Sequence, residues 1–257
     1  MLIAQRLEKI KQILEKKKSA TIEELAETLA VSKDTVRRDL IKLENKKVLK
    51  RTHGGAVLAT KEAEIFDYVQ RSAKYYPIKQ KIAKKVREVI PEDVSVLFDS
   101  STTVEAAIRE LSDRKIHAIT NSLTHAQLLA GFEKTTISVL PGTLHKEQLF
   151  LYGADTIDKL SQFRADYTLL GVFALSKEGL FIHTEEEGLV KRKMVQQGNF
   201  VIAVTDHTKL GTTGFFKVCE LSEIDLLITD QTPEKELLAK LIEENVEIMT
   251  TEKRQSR

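Results

Sequence analysis

The sequence predicts a two-domain α/β protein, with a small winged helix-turn-helix unit at the N-terminus and a larger, mostly parallel α/β unit behind it. Three observations carry that expectation. Residues Thr21 to Val57 read as a helix, a tight turn, a second helix and a basic hairpin. Charge is lopsided: residues 1–60 hold 14 Lys plus Arg against 8 Asp plus Glu, and the remainder 26 against 30. From Val94 onward, short apolar runs alternate with helix-length segments, the pattern of right-handed βαβ crossovers in a sheet covered on both faces.

The head is legible from spacing. Ile22, Leu25, Ala26 and Leu29 recur at three- and four-residue intervals, and Thr21 followed by Glu24 is a capping box. That helix should end near Ala30, with Val31 closing the turn. Ser32 is a good N-cap for the next helix and Thr35 falls in its first turn. There Val36, Leu40 and Leu43 form the inward stripe, leaving Lys33, Thr35, Arg37 and Arg38 outward. Such a face suits a DNA major groove, because Arg bridges the O6 and N7 of guanine while Ser and Thr serve several bases. Leu49 to Arg51 and Ala56 to Leu58 read as two short strands around His53, Gly54 and Gly55, with glycine expected to supply the positive φ of the hairpin turn. Lys50, Arg51 and His53 would lie on that wing, against phosphates. The basic head on a mildly acidic body points the same way.

Between Thr60 and Tyr76 the pattern weakens, so the expected division is a DNA-binding domain over 1–58, a linker over 59–76 and a second domain over 77–257. Pro77 suits the first turn of a helix in which Ile78, Ile82, Val86 and Val89 or Ile90 make the apolar stripe and five lysines or arginines face water. The runs VSVLFD, IHAIT, ISVLP, YTLLGV, FVIAVT and DLLIT then read as strands, separated by helical patterns near Thr102–Leu111, Leu123–Leu129, Glu186–Gln197 and Glu234–Glu243.

Ligands of such sheets bind at the strands' carboxyl ends, and polar residues gather there. Asp99, Ser100, Ser101, Thr102 and Thr103 follow the first strand and open a helix, an arrangement suited to an anion such as phosphate. Thr120, Asn121 and Ser122 follow the second, Gly142 and Thr143 the third, and Asp206 to Gly211 a later one. Lys209 offers a compact positive charge, and Asp99 and Asp206 can accept hydrogen bonds from sugar hydroxyls. An enzyme is the competing class, since Asp99, Asp166, Glu187, Lys191 and Lys209 supply the residue types of a sugar-phosphate isomerase. It would leave the first 60 residues without a purpose.

Composition excludes other classes. No run approaches the roughly 18 apolar residues of a membrane span, and charge interrupts MLIAQRLEKIKQILEKK before any signal-peptide core forms. One cysteine, Cys219, forbids an internal disulfide framework and fits a reducing cytoplasm; beside Phe215-Phe216-Lys217-Val218 it reads as a packing residue. Six histidines show no metal-ligand spacing, so neither a metal nor a cofactor is expected.

The stretch TIEELAETLAVSKDTVRRDLIKLENKKVLKRTHGGAV closely resembles the N-terminal domain of the DeoR family of bacterial transcriptional repressors, whose marks are a V-S-x-x-T-x-R-R-D-L core and an R-x-H-G-G-A wing. The likeness extends over nearly the whole chain. It implies DNA contacts from Thr21, Ser32, Lys33, Thr35, Arg37, Arg38, Lys50, Arg51, His53 and Gly54, and a C-terminal sensor domain similar in fold to ribose-5-phosphate isomerase. The family's D-x-G-T-T, T-N-S and D-x-S-K-x-G loops map onto Asp99 to Thr103, Thr120 to Ser122 and Asp206 to Gly211, and its E-A-x-x-K-R segment onto Glu187, Lys191 and Arg192. Ser101 replaces the loop glycine, Thr143 the second residue of a Gly-Gly pair, and Thr208 a serine. Ser101 bears a Cβ that would hinder the closest backbone approach to a phosphate. The implied protein is a cytoplasmic, homo-oligomeric repressor of a carbohydrate-utilisation operon, with operator DNA and a phosphorylated sugar or related metabolite as its partners.

Overall fold

The helix pair that begins at Thr21 forms in a computed structural model, which describes residues 3–17, 19–45, 49–52, 54–58 and 68–252. The chain divides into two units, Met1–Ile65 and Phe66–Arg257. The first runs α1 (Ile3–Lys17), β1 (Ser19–Thr21), α2 (Ile22–Leu29), α3 (Lys33–Asn45), β2 (Leu49–Thr52) and β3 (Gly55–Leu58). Thr21 and Glu24 cap α2 reciprocally, at 3.1 Å and 2.9 Å. Ala30 ends it in the left-handed conformation, φ 53°, and the Val31 N–H returns to the Ala26 carbonyl at 3.0 Å, a Schellman-type closure. Ser32 Oγ then accepts the Thr35 N–H at 3.2 Å, capping α3.

Val36, Leu40 and Leu43 are buried against Ile10, Leu14, Leu25 and Leu29, each worth about 1.5–3 kcal/mol relative to exposure. Asp39 shares that inner face. Its carboxylate, 1% exposed, accepts both Nε and Nη2 of Arg6 on α1. The wing is a three-stranded antiparallel sheet in the order β1-β3-β2, one strand more than the sequence predicts. The glycines work differently from expectation. Neither Gly54 nor Gly55 has positive φ; Gly55 is needed because a Cβ there would run into the backbone of Ala20 and Thr21 on β1.

The second unit opens with α4 (Tyr68–Ala73) and α5 (Tyr76–Val89), followed by β4 (Val94–Phe98), α6 (Thr102–Glu110), β5 (Ile116–Thr120), α7 (Leu123–Leu129) and β6 (Thr136–Val139). A hairpin, β7 (Thr143–His145) and β8 (Phe150–Tyr152), leads to α8 (Ala154–Leu160), β9 (Ala165–Gly171), β10 (Ala174–Ser176), β11 (Gly179–Ile182) and α9 (Glu185–Gln197). β12 (Gly198–Thr205), β13 (Phe216–Cys219), β14 (Leu226–Thr229), α10 (Lys235–Glu243) and β15 (Glu247–Thr250) complete it. The main sheet has seven strands in the order β15-β14-β12-β9-β4-β5-β6, and every neighbouring pair is parallel.

Burial on both faces explains the unbroken apolar runs. Val96, Phe98, Ile202, Val204 and Ile228 pack with α5 and α6 on one side. Their sequence neighbours Leu97, Val201, Ala203 and Leu227 pack with α8, α9 and α10 on the other. Cys219 lies in that second cluster, where burial pushes its thiol up to about 12. Three small strands, β10, β11 and β13, form a separate antiparallel sheet. No described helix is long and apolar enough to cross a membrane.

Two elements depart from the sequence reading. Tyr68–Ala73, within the stretch expected as linker, is helical, and its Tyr68 hydroxyl donates to Glu105 of α6. On α5, four of the five expected water-facing cations are at the surface or half-buried, but Lys79 is buried with Ile82, Ala83 and Val86. It occupies the first slot of an i, i+3, i+4, i+7 stripe.

Two outcomes follow from these contacts. Asp39→Ala leaves the Arg6 guanidinium without its carboxylate, so the head should unfold at a lower temperature than the wild type while the second unit keeps its own transition; Asp39→Asn, which retains an acceptor, should lose less. Calorimetry of the full chain checks this, and an unchanged first transition in Asp39→Ala would contradict it. His125 on α7 is fully buried and, through that burial, held down to about 4, whereas in the unfolded chain it takes a proton near 6.5. The unfolded state therefore binds more protons between those values, and stability should fall as pH drops through the window, by on the order of 3 kcal/mol. Urea unfolding at neutral and mildly acidic pH measures it, and His125→Leu should lose that part of the slope.

Candidate functional site

The head presents a basic helix face. With Val36, Asp39, Leu40 and Leu43 inward, α3 exposes Lys33, Asp34, Arg37 and Arg38 to solvent, and Thr35 is half-buried. The side chains on this face are lightly tethered. Lys33 reaches Glu23 at 2.6 Å and Arg37 reaches Asp34 at 2.7 Å. Exposed pairs of this kind are worth only about 0–1 kcal/mol, so both cations can be redirected to DNA at little cost. Ser32 and Thr35 share a hydrogen bond at 2.9 Å, and Thr21 is committed to its capping box. Lys50 and Arg51 lie on β2 and Gly54 in the turn, whereas His53 falls outside the described residues.

In the second unit, the sheet's topology marks a place. The chain leaves β4 toward β5 and β6 in one direction and reaches β9, β12, β14 and β15 in the other, so the switch point lies between the adjacent strands β4 and β9. In sheets of this kind, the carboxyl ends at such a point are where ligands bind. Asp99, directly after β4, sits at that point with 1% exposure. Its Oδ1 accepts the Ser101 N–H at 2.9 Å, and its Oδ2 accepts the Gly171 N–H at 2.8 Å together with the Lys191 ammonium. Lys191 also reaches the Gly171 carbonyl at 3.2 Å and Glu187 Oε1 at 3.6 Å.

Three residues expected to face a ligand, Asp99, Glu187 and Lys191, are thus bonded to one another beneath the loop. Asp166, the third carboxylate of the isomerase set, lies at the opposite end of the sheet, accepting Ser95 N–H and Oγ–H at 2.8 Å and 2.7 Å. Arg192 points elsewhere too, donating to the carbonyls of Val218 and Lys217 and lying 4.6 Å from the Phe216 ring centre.

The loop residues have definite local roles. Ser101 caps α6 through the Val104 N–H at 3.1 Å. Its Cβ fits because residue 171 is glycine: a Cβ on Gly171 would fall inside the Ser101 side chain. The serine that replaces the loop glycine is therefore accommodated from the neighbouring strand. Ser100, Thr102 and Thr103 are buried. Thr120 Oγ1 accepts the Ser122 N–H at 3.1 Å, Ser122 caps α7, and Asn121 Nδ2 donates to Leu151 of β8 at 2.8 Å. Gly142 and Thr143 are exposed at the start of the β7–β8 hairpin. Asp206 caps the turn that carries Lys209, accepting the Thr208 N–H at 3.0 Å.

Sequence reasoning missed several residues here. Lys79 Nζ donates to Thr102 Oγ1 at 2.9 Å and to the Arg71 carbonyl. Burial brings its ammonium down to about 8, with Asp206 opposing and Arg71 and Lys209 reinforcing the shift. The Arg71 guanidinium donates through Nη2 to buried Gln148, while its buried Nε has no partner. The Phe173 ring centre lies 4.8 Å from that of His183 and 5.8 Å from the Lys209 ammonium. Burial lowers the His183 imidazole from its ordinary value. The available signal was Lys79 itself, a charge in an apolar slot of its helix. A surface hollow of about 750 Å³ lies to one side, lined by Tyr68, Ser72, Tyr76, Glu105, Arg109 and Leu128 among others. None of the expected effector-contacting residues lines it.

Comparisons agree with this division of labour. Residues 6–62 match the DeoR-like helix-turn-helix domain and residues 75–231 match the DeoR C terminal sensor domain. The chain is 42% identical over 248 residues to the HTH-type transcriptional repressor GlcR of Bacillus subtilis, covering 96% of each. It is 34% identical over 231 residues to the glycerol-3-phosphate regulon repressor of Haemophilus influenzae, covering 89% of this chain and 90% of that one. Among solved structures, ribose 5-phosphate isomerase A of Methanocaldococcus jannaschii aligns over 52% of this chain and 54% of its own, at 16% identity and a TM-score of 0.38. With a helix-turn-helix head and a sensor domain matched over most of its length, the chain belongs to the DeoR family of transcriptional repressors.

Proposed function

We propose that the protein represses a carbohydrate-utilisation operon and that a phosphorylated sugar or related metabolite, bound at the carboxyl ends of the sheet, sets its hold on the operator. The observation that carries the DNA half is α3, whose apolar stripe is fully buried while Arg37 and Arg38 are exposed. Arg37 and Arg38 read bases, Ser32, Lys33, Thr35 and Thr21 contribute at the groove, and Lys50, Arg51, His53 and Gly54 hold the flanking phosphates. For the sensor half, support comes from the cations Lys79, Arg71 and Lys209 grouped beside the switch-point loops. Ser100 to Thr103, Thr120 to Ser122, Gly142, Thr143 and Asp206 surround the ligand in this reading, with Asp99, Glu187 and Lys191 holding the loop from below. Two copies pair so that their heads meet two half-sites. The effector acts through different affinity for DNA-competent and incompetent arrangements. Binding and release suffice for this, and no turnover is required.

Replacing Arg37 or Arg38 with Ala should weaken operator binding by about 1–3 kcal/mol where a bidentate base contact is lost. Changing Lys50 or Arg51 should weaken all DNA nearly equally and flatten the salt dependence. Fluorescence-anisotropy titrations on operator and scrambled duplexes separate the two, and an Arg37→Ala, Arg38→Ala double mutant with wild-type operator affinity would remove α3 from the groove.

A panel of pentose and hexose phosphates with glycerol 3-phosphate tests the sensor; the name of the Haemophilus relative puts the last compound among the first to try. At least one should shift operator binding and be recovered unchanged. Lys209→Ala should then raise the effective concentration about tenfold to a hundredfold, the loss of a charge-assisted contact of roughly 1.5–3 kcal/mol. Operator affinity without effector should stay at the wild-type value. An unshifted response in Lys209→Ala would move the ligand elsewhere, and conversion of a sugar phosphate by the wild type would favour the enzyme.

A further inference from the structure

Lys79 is the feature least explained by packing alone. An ammonium offers three N–H donors, and two of them are engaged, by the Thr102 hydroxyl and the Arg71 carbonyl. Both acceptors are neutral, and among the described residues no carboxylate lies within ion-pair distance of this buried charge. Its charged surroundings are Asp206 and Glu105, which favour the ammonium, and Arg71 and Lys209, which oppose it. Arg71 adds a second unsatisfied donor, its buried Nε. Burying a cation with only neutral acceptors in hydrogen-bond reach is unfavourable, and an anion beside Lys79 would relieve it.

The same ammonium holds α4 in place. Arg71 is on α4, Lys79 on α5 and Thr102 at the start of α6. Thr102 Oγ1 also approaches the Arg71 carbonyl, at 3.4 Å. In sequence, α4 is the first described element after residues 59–67, which follow the head.

We propose that Lys79 is an anion-binding residue shared between the strand-end site and α4, so that an anionic ligand, by stabilising its ammonium, tightens the bond to the Arg71 carbonyl and fixes α4. This rests on the effector reading above and adds how occupancy reaches the segment that leads to the head. The balance is a proton: an anion beside Lys79 raises the affinity of its amine for H⁺, so binding near or above pH 8 takes up a proton from solvent. The ligand needs at least one anionic oxygen.

The test uses the full chain with inorganic phosphate as probe. Calorimetric titrations near pH 8 in buffers of different ionisation enthalpy should show proton uptake, and hydrogen exchange of the 68–73 amides should slow when phosphate is added. Lys79→Met should bind phosphate at least about tenfold more weakly, lose the proton uptake, and exchange these amides equally fast with and without phosphate. Phosphate that binds the wild type and is weakened by Lys209→Ala, yet neither takes up a proton nor slows exchange at 68–73, would overturn the role of Lys79 and leave the effector site standing. Absence of any phosphate binding by the wild type would overturn both. Should Lys79→Met fail to fold, the two wild-type measurements decide by themselves.

Discussion

One buried carboxylate organises the sensor half. Asp99 stands at the switch point of the sheet, where the chain departs in opposite directions from adjacent strands, and it accepts a backbone N–H from each side, Ser101 after β4 and Gly171 at the end of β9. Lys191 supplies the countercharge from α9. Removing either charge leaves the other buried and uncompensated, which is why such pairs are costly to break although modest in net stability. The position of the loop and the start of α6 both depend on this arrangement.

Charge and burial are combined differently above that floor. Asp99 and Lys191 neutralise each other, whereas buried Lys79 has no carboxylate in ion-pair reach among the described residues, its charge favoured by Asp206 and Glu105 and opposed by Arg71 and Lys209. A site that stores unfavourable electrostatics in this way is suited to binding an anion and unsuited to being part of a rigid core. Of the isomerase-type residues, Asp99, Glu187 and Lys191 are drawn together by their own ion pairs, whereas Asp166 bonds Ser95 at the far end of the strands.

The head uses the same logic with a simpler outcome. Its core is small, so α3 is held by three apolar residues and by the Arg6–Asp39 pair, which anchors the helix to α1 through its inner face. The outer face is left with exposed arginines in weak surface pairs. Rigidity on one side and easily redirected cations on the other are the requirements for reading a groove.

Much of this was legible in the chain itself. Capping residues, helical spacing and apolar runs are local consequences of backbone hydrogen bonding and burial, so Thr21, Ser32, the α3 stripe and the six strands from VSVLFD to DLLIT could be placed without coordinates. Short elements with weak patterns escaped, among them β1, α4, the β7–β8 hairpin and β15, because they are stabilised by partners distant in sequence. The composition of the strand-end loops was legible as well, but not which way each side chain is used. Asp99 and Lys191 are 92 residues apart in sequence and bonded in space, Ser101 fits only because residue 171 is glycine, and Lys79 is a buried cation only because α4 and α6 close over it. Periodicity determines which face of a helix turns inward; only the assembled sheet decides which charges meet there, since desolvation and pairing depend on neighbours that the linear order does not contain.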